Sequence, residues 1–148
     1  MKLVFIALLT SIIIISGCTQ QKVEVKENSI ISVFYSSSIL SAETFEKYEL
    51  YENGTISVLL KSKDEDDVSY TETAARKGVL DMVKSVTDAG FFEKSFSKTG
   101  ELQDSSDNKL IVSIDGRRKE VSWQGATVTD SSTLNEIVDI IREVFKVS

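Results

Sequence analysis

Two dipeptides that favour tight turns, Asn53-Gly54 and Asp115-Gly116, constrain the fold of this chain more than any other feature. Each lies between two runs in which apolar and polar residues alternate, as expected for strands with one buried face. The runs are Phe45–Glu52 and Thr55–Lys61 around the first dipeptide, and Lys109–Ile114 and Lys119–Trp123 around the second. The sequence therefore predicts two antiparallel hairpins.

The side-chain alternation also predicts the register of the first hairpin. A three-residue loop, Glu52–Gly54, whose last residue is left-handed, pairs Leu50 with Ile56. It also pairs Tyr48 with Val58, so that all four apolar side chains lie on one face, which a two-residue loop does not achieve. In the second hairpin, loops of two or four residues both keep the apolar side chains on one face. The sequence therefore does not decide between these two loop lengths.

The segment after the first hairpin predicts an amphipathic helix. Thr71 or Thr73 is placed to cap its start, and Gly90 suits the left-handed position that follows a helix end. Gly78 lies inside the helix, where glycine costs about 1 kcal/mol relative to alanine, and this indicates a close contact there. The apolar residues recur at three- and four-residue steps: Ala75, Val79, Met82, Val83 and Val86.

The C-terminal segment predicts a second amphipathic helix. It starts at Asp130, or at Thr133 with Glu136 as a capping box. Its apolar stripe is Leu134, Ile137, Val138, Ile141, Val144 and Phe145. Each of the two helices therefore has one face that must be buried.

A further run of β-forming residues, Ile30–Tyr35, adds a strand before a serine-rich bend. The predicted order is strand, strand, strand, helix, strand, strand, helix (βββαββα). Two helices bury their apolar faces most economically on one shared sheet. We predict an α+β fold, a two-layer sandwich of about five mainly antiparallel strands with both helices on one face. It forms a single globular domain over residues 30–148.

The first eighteen residues have the pattern of an export signal. Lys2 precedes a mainly apolar run, Leu3–Ile15, which is too short to span a hydrocarbon core of about 30 Å. The tetrapeptide Ile15–Cys18 resembles the lipobox of prokaryotic lipoproteins. The resemblance implies cleavage between Gly17 and Cys18 and attachment of lipid, such as palmitate, to Cys18. A plain secretory signal or an anchoring helix is the alternative.

The lipobox resemblance also implies an organisation and a location. Residues 1–17 are the lipoprotein signal peptide, and residues 18–29 are the lipidated cysteine with a polar tether. The alternation of Val23 and Val25 leaves open the start of an edge strand in that segment. The resemblance implies a protein anchored to the cell membrane on its extracytoplasmic face, or facing the periplasm in a cell with two membranes. The rest of the chain resembles, only in pattern, small α+β domains of prokaryotic lipoproteins.

The charge of the chain argues against nucleic acid as a partner. Without residues 1–17 the chain has 16 basic and 23 acidic residues, a formal charge of −7. Such a surface repels nucleic acid and anionic lipid headgroups. We therefore predict contact with the membrane only through the lipid on Cys18.

Two acidic segments are weak candidates for a cation site. Lys63–Asp67 carries four carboxylates in a row, but it lacks the alternating ligand spacing of a calcium loop and reads as a solvated loop. The segment Asp104–Asn108 has oxygen ligands at positions 1, 3 and 5 of a frame like that of a calcium loop, with Asp115 at position 12. The weak candidates in it are Asp104, Asp107 and Asn108. A lysine replaces the required glycine, and the residues that follow have the pattern of a strand. We predict no metal site.

Three other features have ordinary structural explanations. Asn53 lies in an N-glycosylation sequon at a hairpin tip, where the turn itself explains the sequence and glycosylation stays an open possibility. Arg117–Lys119 is a small basic group that reads as a solvated tip and only weakly as an anion site. Trp123 shares the parity of Val121 and is predicted to lie in the core.

The chain lacks histidine, and its single cysteine is assigned to lipid, so the commonest catalytic bases and thiol nucleophiles are missing. We predict no enzyme activity, no catalytic residue and no cofactor, although a Ser-Lys or two-carboxylate mechanism stays open. The leading hypothesis is a binding or accessory module of the cell envelope with an envelope protein as partner, recognised on the exposed sheet face or hairpin tips. The alternatives are an envelope protein that binds a small ligand or cation, and an inhibitor of an exported hydrolase that uses the loop Ser95–Asn108.

Overall fold

The computed structural model describes residues 23–39, 43–100, 106–125 and 128–146. Gly17, Cys18 and Asp104 lie outside these ranges, so what the sequence predicts for them stays a prediction. The fold is α+β, an open antiparallel sheet of six strands with two helices. The elements are β1 (Ile31–Ile39), β2 (Thr44–Leu50), β3 (Thr55–Ser62), β4 (Glu65–Thr73), α1 (Arg76–Asp88), β5 (Asp107–Ile114), β6 (Arg117–Gln124) and α2 (Ser131–Phe145).

One face of the sheet forms the core. The strands lie in the order β4-β3-β2-β1-β5-β6, with β1 near the centre. Every buried strand residue shares the parity that points to this face, and both helices bury their stripes in the same cluster, so the helices pack on one side. The buried strand residues are Ile31, Val33, Tyr35, Tyr48, Leu50, Ile56, Val58, Leu110, Val112, Ile114, Val121 and Trp123.

Both hairpin predictions are confirmed. In the first hairpin, Leu50 faces Ile56 and Tyr48 faces Val58, and the three-residue loop ends at Gly54 with φ +83°. The second hairpin has the two-residue loop, because Ile114 pairs with Arg117. Asp115 and Gly116 both have positive φ there, 48° and 79°, which is the geometry of a type I′ turn.

The prediction of a solvated loop over residues 63–67 is wrong, and with it the count of five strands. Glu65–Asp67 begin β4, which pairs with β3 through a tight turn at Lys63 and Asp64. The register shifts by one residue between Leu60 and Ser62, so two β4 residues face one β3 residue in a β-bulge. The sequence missed this strand because it is solvent-exposed along nearly its whole length, and no apolar face marks it.

The first strand also extends further than predicted. Pairing continues through the serines as far as Ile39, with β2 on one side and β5 on the other. A strand with a neighbour on both sides satisfies its backbone whatever its side chains are, so the serines do not end it.

The first helix starts later than predicted. Ala75 is its N-cap and makes no side-chain capping bond, while Thr71 and Thr73 lie in β4. The predicted C-terminal glycine is confirmed, because Gly90 has φ +84°. A Cβ added at Gly78 would meet nothing within 4 Å, so the close contact predicted there is wrong. The predicted apolar stripe is buried except for Ala75.

The second helix follows Asp130, the first of the two predicted starts. Asp130 has φ +56° and its side chain makes no capping bond. Most of the predicted stripe is buried, and Val144 packs against the core while partly exposed. The helices α1 and α2 lie side by side above the sheet, although their stripes are far apart in sequence.

The N-terminal side of the domain differs from the predicted tether over residues 18–29. The described part of that segment, residues 23–29, packs onto the domain. Val23 is 6% exposed and belongs to the hydrophobic core. The guanidinium group of Arg76 donates hydrogen bonds to the carbonyl oxygens of Ser29 and Glu27. The folded unit therefore includes residues 23–29, which form no strand.

The turn residue Asp115 holds this segment in place. Its Oδ1 accepts a hydrogen bond from the Ile30 amide at 2.9 Å, and its Oδ2 accepts one from the Ser29 hydroxyl at 2.9 Å. Its own amide donates to the Ile30 carbonyl oxygen at 2.9 Å. A residue of the β5–β6 turn thus binds the chain just before β1.

We expect Asp115→Ala to lower the free energy of unfolding by about 2 kcal/mol, because two side-chain hydrogen bonds are lost beside the buried Ser29. Alanine also fits the positive φ less well than aspartate. Asp115→Asn is the matched control, since it keeps an acceptor oxygen and tolerates the same φ, and its loss should be smaller. Urea denaturation of both variants measures the effect. An alanine variant as stable as the asparagine variant would contradict this role.

Candidate functional site

The sheet is wider than the two helices that cover it. Six strands at about 4.8 Å spacing span roughly 29 Å, whereas two helices of about 10 Å diameter span roughly 20 Å. The uncovered width is therefore about two strands. Part of the uncovered region is β4, where Val68 and Tyr70 point to the helix face but are 50% and 37% exposed.

A cleft of about 370 Å³ lies on this uncovered part of the helix face. We call it the corner cleft. Its apolar lining comes from Ile39 at the end of β1, Leu60 in β3 and Val68 in β4. Ile39 is itself 39% exposed. Its acidic lining comes from three carboxylates: Glu46, Glu65 and Asp66.

The C-terminal turn of α2 stands beside the cleft. The ring of Phe145 stacks on Tyr48 with 5.3 Å between centroids. The guanidinium group of Arg142 binds the Glu46 carboxylate at 3.0 Å. Burial raises the pKa of the Tyr48 hydroxyl. Glu46 is thus paired, and the other charged lining residues are Glu65 and Asp66 of β4 with Lys61 of β3, which itself binds Asp67 at 2.7 Å.

The opposite side of the helix face is closed. Lys119 of β6 places its ammonium group 5.5 Å from the ring centroid of Phe91 and 5.0 Å from that of Phe96. The same group donates hydrogen bonds to the carbonyl oxygens of Phe92 and Lys94. The segment after α1 therefore folds over β6 and covers it.

These contacts change the interpretation of the basic group Arg117–Lys119. It is not simply a solvated tip, because Lys119 lies between two rings and the guanidinium group of Arg117 lies 5.5 Å from the ring centroid of Phe92. Burial lowers the pKa of Lys119, and the nearby Glu93 carboxylate opposes that shift. Both Glu93 oxygens are buried without a hydrogen-bond partner among the described residues. The ammonium group of Lys119 therefore makes its contacts within the domain, with aromatic rings and backbone carbonyl oxygens.

The outer face of the sheet carries charged side chains that pair with one another. Lys109 binds Glu120 at 2.7 Å, and this hydrogen bond lowers the pKa of the Glu120 carboxyl. The Lys47 ammonium group lies 5.8 Å from the ring centroid of Phe34 and also binds Glu49 at 3.1 Å. These charges pair with one another and the Phe34 ring is partly covered by Lys47, which favours a solvated surface over a recognition surface.

The described cation candidates, Asp107, Asn108 and Asp115, do not form a common site. Asp107 accepts a hydrogen bond from Gln124 at 2.6 Å, and the Asn108 amide donates to the Ser106 carbonyl oxygen at 3.0 Å. Asp115 lies at the other end of β5, about 26 Å from Asp107 along an extended strand. The described residues contain no group of three or more Asp, Glu, His or Cys placed to hold a metal ion.

The remaining candidate positions have clear structural roles. Trp123 is buried, which confirms the core prediction. Asn53 is exposed at the hairpin tip, and its Oδ1 accepts a hydrogen bond from the Thr55 amide at 3.0 Å. Glycosylation of Asn53 stays a prediction. Of the two helices in the described part of the chain, neither is long and apolar enough to cross a membrane.

No protein-family model matches the chain, and no curated protein matches its sequence significantly. The chain's own geometry is therefore the basis for its proposed function. The sequence did not single out the corner cleft, because its residues come from four strands and one of those strands was missed. The alternation Val68-Ser69-Tyr70-Thr71 was the available signal for that strand.

We expect Lys119→Met to lower the free energy of unfolding by about 1–2 kcal/mol. The methionine keeps much of the apolar stem but leaves two carbonyl oxygens without their donor and Glu93 without its nearby cation. Arg118→Met is the matched control, because the Arg118 side chain is exposed and pairs with the exposed Glu120. It should change stability by no more than about 0.5 kcal/mol. Chemical denaturation compares the two. Equal effects would show that Lys119 has no special place in the fold.

Proposed function

We propose that this chain is a lipid-anchored accessory protein of the cell envelope that binds another envelope protein and performs no catalysis. The observation that carries the proposal is the corner cleft with β4 beside it. Exposed apolar side chains gathered next to a strand at the sheet edge are typical of interaction sites rather than of ordinary surface. The two helices leave this region open while the segment after α1 covers the opposite side.

The N-terminal sequence supports the location. The pattern ending at Cys18 predicts export and lipid attachment, and the acidic chain has no polybasic segment to hold it on anionic headgroups. Val23 is buried in the domain, and only four residues separate it from Cys18 in sequence. The domain is thus proposed to sit close to the membrane surface.

The chemistry of the described side chains favours binding over catalysis. A general base works best with a pKa near the operating pH. Burial raises the pKa of Tyr35 and Tyr48, which moves them further from that range. Lys119, whose pKa is lowered, is enclosed by rings and carbonyl oxygens away from the corner cleft. A surface for a protein partner needs none of these groups to transfer protons.

The lipid anchor can be tested directly. We expect Cys18→Ser to leave the precursor uncleaved and without lipid, because the modified sulfur and the cleavage context are lost together. The wild type should incorporate labelled palmitate and partition into the detergent phase, while the variant should not incorporate label. A water-soluble wild type that begins after Cys18 would contradict the anchor.

The binding surface is tested by in-cell cross-linking and affinity capture of the full-length lipoprotein. We expect the wild type to capture one reproducible envelope protein, and Val68→Ser to reduce that capture by about tenfold. Ile30→Ser is the matched control, since Ile30 is an equally exposed apolar residue far along the sheet, and it should capture normally. Both substitutions are exposed and should change stability by no more than about 0.5 kcal/mol. Capture that is independent of Val68 would contradict the proposed surface.

A further inference from the structure

We infer that β4 takes up an extended, basic segment of the partner protein as a seventh strand, with apolar side chains of that segment packing at the corner cleft. This inference rests on the proposed function, and it specifies the chemistry of the partner. Strand addition of this kind supplies affinity through backbone hydrogen bonds and selectivity through the alternate side chains.

The backbone of β4 is oriented for such an addition. The Ala74 amide donates to the Gly54 carbonyl oxygen at 2.9 Å, which makes this pair hydrogen-bonded in the β3–β4 ladder. Hydrogen-bonded pairs alternate along an antiparallel ladder, so Val68 and Tyr70 direct their backbone groups toward β3. The amide and carbonyl groups of Ser69 and Thr71 therefore point away from the sheet. Within the described residues, β4 has a neighbouring strand on that one side alone.

Most of β4 lacks the features that usually protect an edge strand. Lysine, proline and bulges are common protections. The bulge lies at the start of β4, and from Val68 to Thr73 the register with β3 is regular. This stretch contains neither lysine nor proline and is rich in β-forming residues. It is about 20 Å long, enough to pair with five or six residues of a partner.

The charge of β4 selects a basic partner. Of the four carboxylates of the strand, Asp67 binds Lys61 of β3 at 2.7 Å, while Glu65 and Asp66 line the corner cleft. A second copy of this chain is disfavoured as the occupant, because each chain carries a formal charge of −7 without its predicted signal. A segment with Lys or Arg near these carboxylates satisfies the same backbone groups without that repulsion.

Antiparallel addition fixes the order of side chains in the partner segment. Its C-terminal end would lie beside Glu65 and Asp66, and its preceding residues beside Val68 and Tyr70. Residues opposite Val68 and Tyr70 share their face of the sheet and meet the apolar side of the cleft. The segment that fits has alternate apolar residues followed by Lys or Arg.

The probe is the labelled peptide Ac-Thr-Thr-Thr-Val-Thr-Ile-Lys-Arg-Lys-NH2, measured by fluorescence anisotropy against the full-length lipoprotein in detergent. In the inferred register its valine lies opposite Tyr70 and its isoleucine opposite Val68. The amides of the threonines on either side of the valine point to β4. N-methylation of those two threonines should weaken binding by at least about tenfold, while N-methylation of the valine and isoleucine should have little effect.

Variants of the protein test the same backbone hydrogen bonds by removing a donor on β4. Ser69→Pro removes an amide that points away from the sheet, and edge strands tolerate proline at such a position. It should weaken binding by at least about tenfold, whereas Ser69→Ala should bind within about twofold of the wild type. Ser122→Pro is the matched control on β6, because the bond from the Gly125 amide to the Ser106 carbonyl oxygen places the Ser122 amide on the outer edge. It should bind the peptide normally.

Hydrogen exchange on the wild type keeps the inference falsifiable if Ser69→Pro does not fold. The peptide should protect the amides of Ser69 and Thr71, and leave unchanged those of Val68 and Tyr70, which already face β3. Unprotected Ser69 and Thr71 amides in the peptide complex would overturn strand addition, and so would dimerisation of the lipoprotein through β4. Capture that depends on Val68, together with absent protection, would refute strand addition and leave the proposed function standing.

Discussion

The structure depends on the burial of one face of a six-stranded sheet beneath only two helices. Apolar residues of one parity, contributed by five of the six strands, meet the stripes of α1 and α2 in a single core. Because the pair of helices is narrower than the sheet, the helices alone cannot cover this face completely. The outcome is an uncovered strand, β4, whose side chains are exposed on both faces.

The uncovered width is not shared equally between the two edges. On the β6 side, Phe91 and Phe96 fold over Lys119, and Val121 and Trp123 are buried beneath the helix layer. On the β4 side the described residues provide no comparable cover. This asymmetry gives the domain one closed edge and one open corner, and the acidic composition of β4 gives that corner its charge. The proposed recognition surface follows from this geometry rather than from a sequence motif.

Elements defined by neighbouring residues were predictable from the sequence. The register of the first hairpin followed from the alternation of Tyr48 and Leu50 with Val58 and Ile56, because a one-residue slip would put the two apolar pairs on opposite faces. Both helical stripes followed from their spacing, and Gly90 followed from the backbone geometry of a helix end. In each case the physical signal lies within a few residues.

Elements defined by distant partners were not predictable in the same way. The segment before β1 has a polar composition, and only the tertiary contacts of Val23 with the core and of Asp115 with Ser29 show that it is packed. The strand β4 has no buried face to mark it, since its stability comes from the ladder with β3. Lys119 reads as a solvated charge until the rings of the segment after α1 are placed around it.

The sequence by itself determined the fold class, the two hairpins, the two amphipathic helices and an acidic surface, because periodicity, turn chemistry and charge are local properties. Only the tertiary structure decided the sixth strand, the packed N-terminal segment and the open corner. These depend on how two helices fit across a sheet, and the width left uncovered is a property of the assembled layers. Val68 and the outward-facing amides of Ser69 and Thr71 lie in this uncovered part of the sheet, where the proposed partner would bind.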